Sequence, residues 1–280
     1  MRKKGMQKKS KELLAQVQKI IEEYDSSLSL RQIYYRLVAA QIMSNLQKNY
    51  RKLSRLCVIG RDEGLLNEDS FVDRLREIQV PSMWANLNEY METVRDAYRK
   101  NYWLDQPCYL EIWSEKDALR GIMAPVADKY GVPLLIVRGQ VSRTAIYEAY
   151  ERYKANEDKE CLLYYFGDHD PSGLCIYRSL VERLGNFNGG LPIKFQRAGL
   201  TPEQIKTYRL PQDPAKKSDP NYKKFVAEYG DNVVELDALP PEVLKDLIED
   251  CVVSCIDEDK WGTATEIEQE ENAQLQELSF

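Results

Sequence analysis

The chain has 280 residues, 43% of them hydrophobic, and a formal net charge of −6. That length holds two modest cores, and that composition belongs to a globular protein rather than a disordered or fibrous one. No apolar run approaches the roughly 20 residues of a membrane helix, and the basic start MRKKGMQKKSKE lacks the apolar stretch of a secretory signal.

Six cysteines show no C-x-x-C spacing and fall mostly in apolar patterns, so they read as buried, reduced thiols of a cytosolic protein. With one histidine and no ligand spacing, a zinc site is not expected. The net charge argues against a nucleic-acid partner, but its distribution argues for one. Residues 1–60 hold 13 Lys/Arg against 4 Asp/Glu; residues 241–280 hold 2 against 12. A basic working face with an acidic tail accounts for this asymmetry, and so does a solvated helix at each end.

In chain order, Leu13, Leu14, Val17, Ile20 and Ile21 have helical spacing over 7–24, and DSSLS breaks the pattern. Ser29 with Gln32 is a capping-box signature for a second helix. Its core face is Leu30, Ile33, Tyr34, Leu37 and Val38. Arg31 and Tyr35, four apart, share a different and more exposed face, so Tyr34 points inward and Tyr35 outward beside a cation. A third helix over about 46–60 exposes Lys48, Arg51, Lys52 and Arg55. Three short helices with a basic third one fit a helix-turn-helix or winged-helix unit, or an ordinary three-helix bundle. Residues 67–104 form a connector broken at Pro81, with a helix over about 84–102 that packs between domains or lines a DNA path.

An α/β region follows. YLEIWSE is a strand ending at Glu115, with a helix over about 117–130. GVPLLIV is a second buried strand, 141–153 a helix, and Leu162 to Phe166 a third strand running into the turn DHDPSG. Pro171 opens the next helix, where its missing N–H costs nothing, and a fourth strand lies near 193–196. Alternation of strands and helices predicts a mostly parallel sheet. Asp168 and Asp170 then sit just past a strand's C-terminal end, where open α/β sheets keep their chemistry. One reading is a helix-capping turn. The other is a cation site, since like charges so close repel. Glu115 brings a third carboxylate to the same edge. Oxygen-only ligands imply Mg2+ or Mn2+. Glu111, on the same strand face, reads as a partly buried structural acid, and His169 as a surface turn position. Beyond residue 200 the chain is irregular, with a last strand at 233–236, a closing helix over about 241–255, and a Glu/Gln-rich end that is a weak helix or disordered. There is no internal repeat.

These motifs resemble a known family. Glu115 in SEKDAL, with Asp168 and Asp170 in DHDPSG, is similar to the acidic triad of the TOPRIM domain. LRQIYYRL resembles the RxIYY motif of the winged-helix, catalytic-tyrosine domain in the topoisomerase VI A subunit and the related meiotic double-strand-break transesterase. NYRKLSRLCVIGRDEGLL resembles the helix that follows. The likeness covers about 28–66 and 105–200 and is closest to the compact orphan homologues called Mini-A. Ser114 stands where the family often has Val, and His169 sits inside the DxD; neither removes a ligand.

The resemblance implies a winged-helix domain over 1–100, a TOPRIM domain with its extension over 105–260 and an acidic tail over 261–280. It implies Tyr35 as nucleophile, assisted by Arg31. Glu115, Asp168 and Asp170 would be the metal ligands, with Lys116, Arg51, Lys52 and Arg55 as DNA contacts. The expected activity is metal-dependent double-strand cleavage with 5′-phosphotyrosyl linkage, of the type IIB topoisomerase kind, an isomerase class. Expected partners are double-stranded DNA, a second copy in a homodimer and a possible separate ATPase subunit, since the chain has no Walker A sequence. A cytoplasmic, nucleoid-associated or mobile-element-encoded protein with no membrane association is expected. Two other functions stay open: a hydrolytic TOPRIM nuclease in which Tyr35 is structural, and a non-catalytic DNA-binding module of a mobile element.

Overall fold

The computed structural model describes residues 6–24, 28–71 and 81–277. Asp25 to Ser27 of the first break, residues 72–80 of the connector, and the extreme ends of the basic start and acidic tail lie outside them. The described residues form an α/β protein: a helical unit, then a four-stranded parallel sheet with helices on both faces. None of the described helices is long and apolar enough to cross a membrane.

The helical unit is built from α1 (Lys8–Glu22), α2 (Leu30–Ala39) and α3 (Gln47–Asp62). The expected capping box starts α2: Ser29 Oγ accepts from Gln32 N at 3.3 Å, and Gln32 Oε1 accepts from Ser29 N at 2.7 Å. Leu14, Val17, Ile33, Leu37 and Leu53 meet in its core. Among the described residues, the β pairing of this unit is a parallel bridge between Leu28 and Phe71. The connector helix α4 (Leu87–Ala97) is shorter than the periodicity predicts and buries none of its residues.

The sheet contains β1 (Cys108–Ser114), β2 (Leu134–Ile136), β3 (Glu160–Phe166) and β4 (Ile193–Gly199), in the order β2-β1-β3-β4, all parallel. Helix α5 (Arg120–Lys129) links β1 to β2, α6 (Arg143–Lys154) links β2 to β3, and α7 (Pro171–Gly185) links β3 to β4. Leaving β1, the chain moves outward to β2 and then crosses back to pair β3 on β1's other side. The strand order therefore reverses between β1 and β3, and their C-terminal ends open a crevice. Strict alternation along β1 and β3 splits the core. Leu110, Ile112, Tyr164 and Phe166 join the cluster that continues into the helical unit, while Trp113, Leu163 and Tyr165 pack with Tyr150, Leu180 and Leu184.

After β4 come α8 (Pro202–Thr207), β5 (Asp213–Pro214), α9 (Tyr222–Tyr229) and β6 (Asn232–Val233), then α10 (Pro241–Val253) and α11 (Glu258–Glu277). The strand expected at 233–236 is only partly present: β6 pairs with β5, and Leu236–Ala238 is a 3-10 turn. The acidic end, expected weak or disordered, is a 20-residue helix. Tertiary partners account for it. Glu268 accepts from Lys100 N at 2.7 Å, Glu271 pairs with the Lys100 ammonium at 3.2 Å, and Trp261 stacks among Tyr102, Trp103 and Tyr130.

Glu111 is 1% exposed and structural, but more deeply buried than the sequence suggests. Arg152 binds it bidentately at 2.7 and 2.9 Å, and Tyr109 and Trp113 donate to it as well. A buried carboxylate is tolerated only when paired and hydrogen-bonded. Arg152→Met is expected to cost about 3 kcal/mol of unfolding free energy in urea denaturation. Adding Glu111→Gln in the same chain should recover part of the loss.

Candidate functional site

The register places Ser114 opposite Phe166, so Glu115 and Asp168 emerge side by side from the crevice. The Glu115 carboxylate tucks beneath the DHDPSG turn, where Oε1 accepts from Asp168 N at 2.7 Å and Oε2 from the Tyr165 hydroxyl at 3.2 Å. Two glycines make room for it. A Cβ on Gly167 would lie 2.8 Å from Glu115 Oε1, and one on Gly173 would lie 2.4 Å from the Asp168 carbonyl oxygen. Asp170 is the N-cap of α7, accepting from Gly173 N at 2.6 Å. The helix-capping reading of this turn is therefore correct for Asp170. Arg197, at the end of β4, holds the turn from below by donating to the carbonyls of Gly167 at 2.8 Å and Asp168 at 2.6 Å.

A second acidic strip lies against the first. Val234 pairs with His169 through two backbone hydrogen bonds, and Leu236 N donates to Asp168 Oδ1 at 2.7 Å. This zipper delivers Glu235 and Asp237 to the crevice. Lys116 sits among the acids, with its Nζ 2.9 Å from Asp168 and from Glu235 and 3.8 Å from Asp237. Arg31 reaches in from α2, 3.4 Å from Glu235 and 3.8 Å from Asp237. Sequence reasoning missed Glu235, Asp237 and Arg197. The available signal was the spacing ELD, two acids of equal parity like those of DHD.

Burial raises Asp168 to about 7, with Glu115 adding to the shift and Lys116 opposing it. Burial also raises Glu115, as does the nearby Asp170. Burial would raise Glu235 too, but Lys116 and Arg31 outweigh it and hold the carboxyl below its usual range. Lys116 stays firmly protonated: burial opposes its charge, but Asp168, Asp237 and Glu235 prevail. The Asp237 side chain is 0% exposed, and neither of its oxygens has a hydrogen-bond partner.

Tyr35 corrects the sequence reading. It is 5% exposed rather than outward-facing, as buried as Tyr34 at 4%. The periodicity was right about the helical unit's own core; the Glu235–Ala238 segment, from the far end of the chain, covers the other face of α2. Burial and the negative charge of Glu235 push the Tyr35 hydroxyl well above its usual pKa, with Arg31 only partly offsetting them. Tyr35, Asp170, Ser172, Lys216 and Glu235 line one cavity of about 160 Å3. Tyr35 thus faces the acidic cluster of its own chain.

His169 is a buried residue, not the surface turn position expected. Its ring lies edge-on to Phe225 and Tyr229, and burial, with Arg197, lowers it to about 4. Lys116 is committed to three carboxylates rather than presented to solvent. Arg51, Lys52 and Arg55 are exposed as expected and line a groove with Ser10 and Lys48, away from Tyr35.

Among the described residues, no group of three or more His, Cys, Asp and Glu side chains stands disposed as a ready metal cage. The donor chemistry nonetheless suits a hard divalent cation. Glu115, Asp168 and Asp170 offer only oxygen, and the burial that raises Glu115 and Asp168, with a neighbouring carboxylate adding to each shift, is a penalty that a cation relieves.

Asp168 and His169 titrate in the same window with opposite signs. The folded state holds the Asp168 proton more tightly than the unfolded state, so its contribution to stability grows as pH falls from about 7. The folded state resists charging His169, so stability is lost as pH falls below its ordinary 6.5. Between pH 7 and 5 the two offset each other in the wild type. Asp168→Asn should unmask a loss on acidification, and His169→Gln a gain, each about 2 kcal/mol by denaturant titration at several pH values.

No protein-family model matches the chain, and no curated relative matches it.

Proposed function

We propose that the chain is a DNA-cleaving transesterase, like the type IIB topoisomerase A subunits its motifs resemble, with Tyr35 as nucleophile. The observation that carries this reading is the shared cavity: Tyr35 lines it together with Asp170 and Glu235, and Lys116 ties Glu235 to Asp168. A winged-helix and a TOPRIM domain are the corresponding fold assignments.

In this reading the Tyr35 oxygen attacks a phosphodiester, forming a phosphotyrosine and freeing a sugar hydroxyl. The phosphoester bond is exchanged rather than hydrolysed. A neutral phenol is a poor nucleophile, so its proton has to leave as the bond forms. Glu235 lines the same cavity as Tyr35 and is held ionised by Lys116 and Arg31, which makes it the group that receives that proton. Arg31, half exposed beside Tyr35, is placed to hold the scissile phosphate. Lys116 keeps a positive charge where negative charge develops on the phosphoryl oxygens. Glu115, Asp168 and Asp170 would hold Mg2+ or Mn2+, which when bound neutralises the phosphoryl group and the leaving oxygen. The exposed cations of α3 follow the DNA backbone. Cutting both strands takes two Tyr35 side chains, so the reading includes a homodimer on double-stranded DNA.

The burial of Tyr35 favours a second reading, a hydrolytic nuclease in which the tyrosine is only structural. Supercoiled plasmid incubated with Mg2+ or Mn2+, with and without protease before the gel, separates the two. Wild type should give linear DNA that enters the gel only after proteolysis. Tyr35→Phe should abolish it, and Glu115→Gln or removal of the metal should lower it by about 10²–10³-fold. Cleavage that persists in Tyr35→Phe without attached protein would establish the nuclease instead.

A further inference from the structure

The acidic helix α11 has two faces, and only one is spent on its own chain. Its 20 residues hold seven carboxylates and one lysine. On the inner face, Trp261 stacks with Tyr102, Trp103 and Tyr130, and Glu268 and Glu271 bind Lys100. The Leu275 carbonyl accepts from Arg95 of α4 at 3.1 Å. At about 100° per residue, Asp259, Glu266, Glu270 and Glu277 fall within about 20° of one line along the outer face. All four are exposed. Their stripe is about 27 Å long, and none of the four carboxylates has an ion-pair partner among the described residues.

Helix α3 carries the converse. Lys48, Lys52 and Arg55 lie within about 30° of one line that continues to Ile59, with Arg51 beside it. All five side chains are exposed and line a groove of about 530 Å3 that Ser10 of α1 borders. None of the four cations is paired among the described residues.

We propose that the outer acidic face of α11 docks on the basic face of α3 in a second copy of the chain and so closes that groove to DNA. The closure to DNA rests on the reading of α3 as a DNA contact; the contact between copies does not.

The two stripes match in charge and in interval. Lys48 and Arg55 are seven residues apart, as are Asp259 and Glu266, and Glu270 and Glu277. Two acids therefore meet two cations with the helices running in either direction. Apolar surface adjoins each stripe: Ile267 is 36% exposed and Ile59 45%. The inner-face anchors order α11 in advance, so docking does not bear the cost of folding it. The same anchors fix the helix where its outer carboxylates pair with no cation of their own chain. The cations that neutralise them come from another copy. Exposed ion pairs are individually weak and screened by salt. The contact is therefore salt-sensitive, and a duplex, with its dense phosphate charge, competes for the same cations.

The test mixes heavy-nitrogen-labelled and unlabelled full chain at low salt, joins contacting carboxylates and amines with a zero-length carbodiimide, and maps the linked peptides by mass. The expected links join Glu266 or Glu270 to Lys48 or Lys52 in mixed-isotope pairs, and fall at least about tenfold in about 0.5 M salt. Glu266→Lys with Glu270→Lys should weaken self-association in sedimentation at least about tenfold, as should Lys52→Glu with Arg55→Glu. Mixing these two variants should restore cross-links at the swapped positions. Absence of the links at low salt, links confined to one isotope, or no restoration on mixing would each overturn the docking. A short duplex at saturation should suppress the links; a yield indifferent to duplex, with the links otherwise present, would overturn the closure alone. The wild-type map decides the contact even if a variant fails to fold.

Discussion

Carboxylates crowd into one crevice, and the rest of the site is arranged to keep them there. Glu115, Asp168, Asp170, Glu235 and Asp237 converge where the strand order reverses between β1 and β3. Like charges at such range repel by several kcal/mol when water is excluded. Lys116 meets this by touching three of them, and Arg31 adds a second positive charge. Backbone donors do the rest: Asp168 N to Glu115, Gly173 N to Asp170 and Leu236 N to Asp168. The two glycines of the turn follow from the same constraint, since a side chain at either would occupy the space of the Glu115 carboxylate or the Asp168 carbonyl.

The cover over Tyr35 is the other half of the arrangement. The Glu235–Ala238 segment packs on α2 while its backbone zips to the turn carrying the acids. One segment therefore ties the tyrosine helix to the acidic crevice, and Glu235 bridges them directly through Arg31 and Lys116. The state is self-satisfied: the tyrosine keeps its proton, and the ammonium of Lys116 sits where cationic charge is needed. In the proposed reaction, DNA phosphates and a divalent cation compete for the same partners. Glu235 and Lys116 are then the groups whose contacts have to be redistributed.

Much of the fold was legible along the chain. Pro171 after DHD, the apolar runs of β1 and β3 and the Ser29–Gln32 capping box are local signals, and each element starts close to where they put it. The length of α11 was not legible, because its first-order signal is a run of Glu and Gln. It owes its place to Lys100, Tyr98 and the aromatic cage around Trp261. His169 reads as a polar turn residue until Phe225 and Tyr229 close over it.

The sequence by itself determined the parallel α/β order, the edge on which Glu115, Asp168 and Asp170 emerge and the exposed basic face of α3, because strand alternation, helix period and turn chemistry act over a few residues. Tertiary structure alone decided that Tyr35 is buried, that Glu235 and Asp237 join the acids, that Lys116 is consumed by them and that Cys108 meets Cys255. Each of these rests on contacts between residues more than fifty positions apart, and no local period records which distant segment will cover a given face.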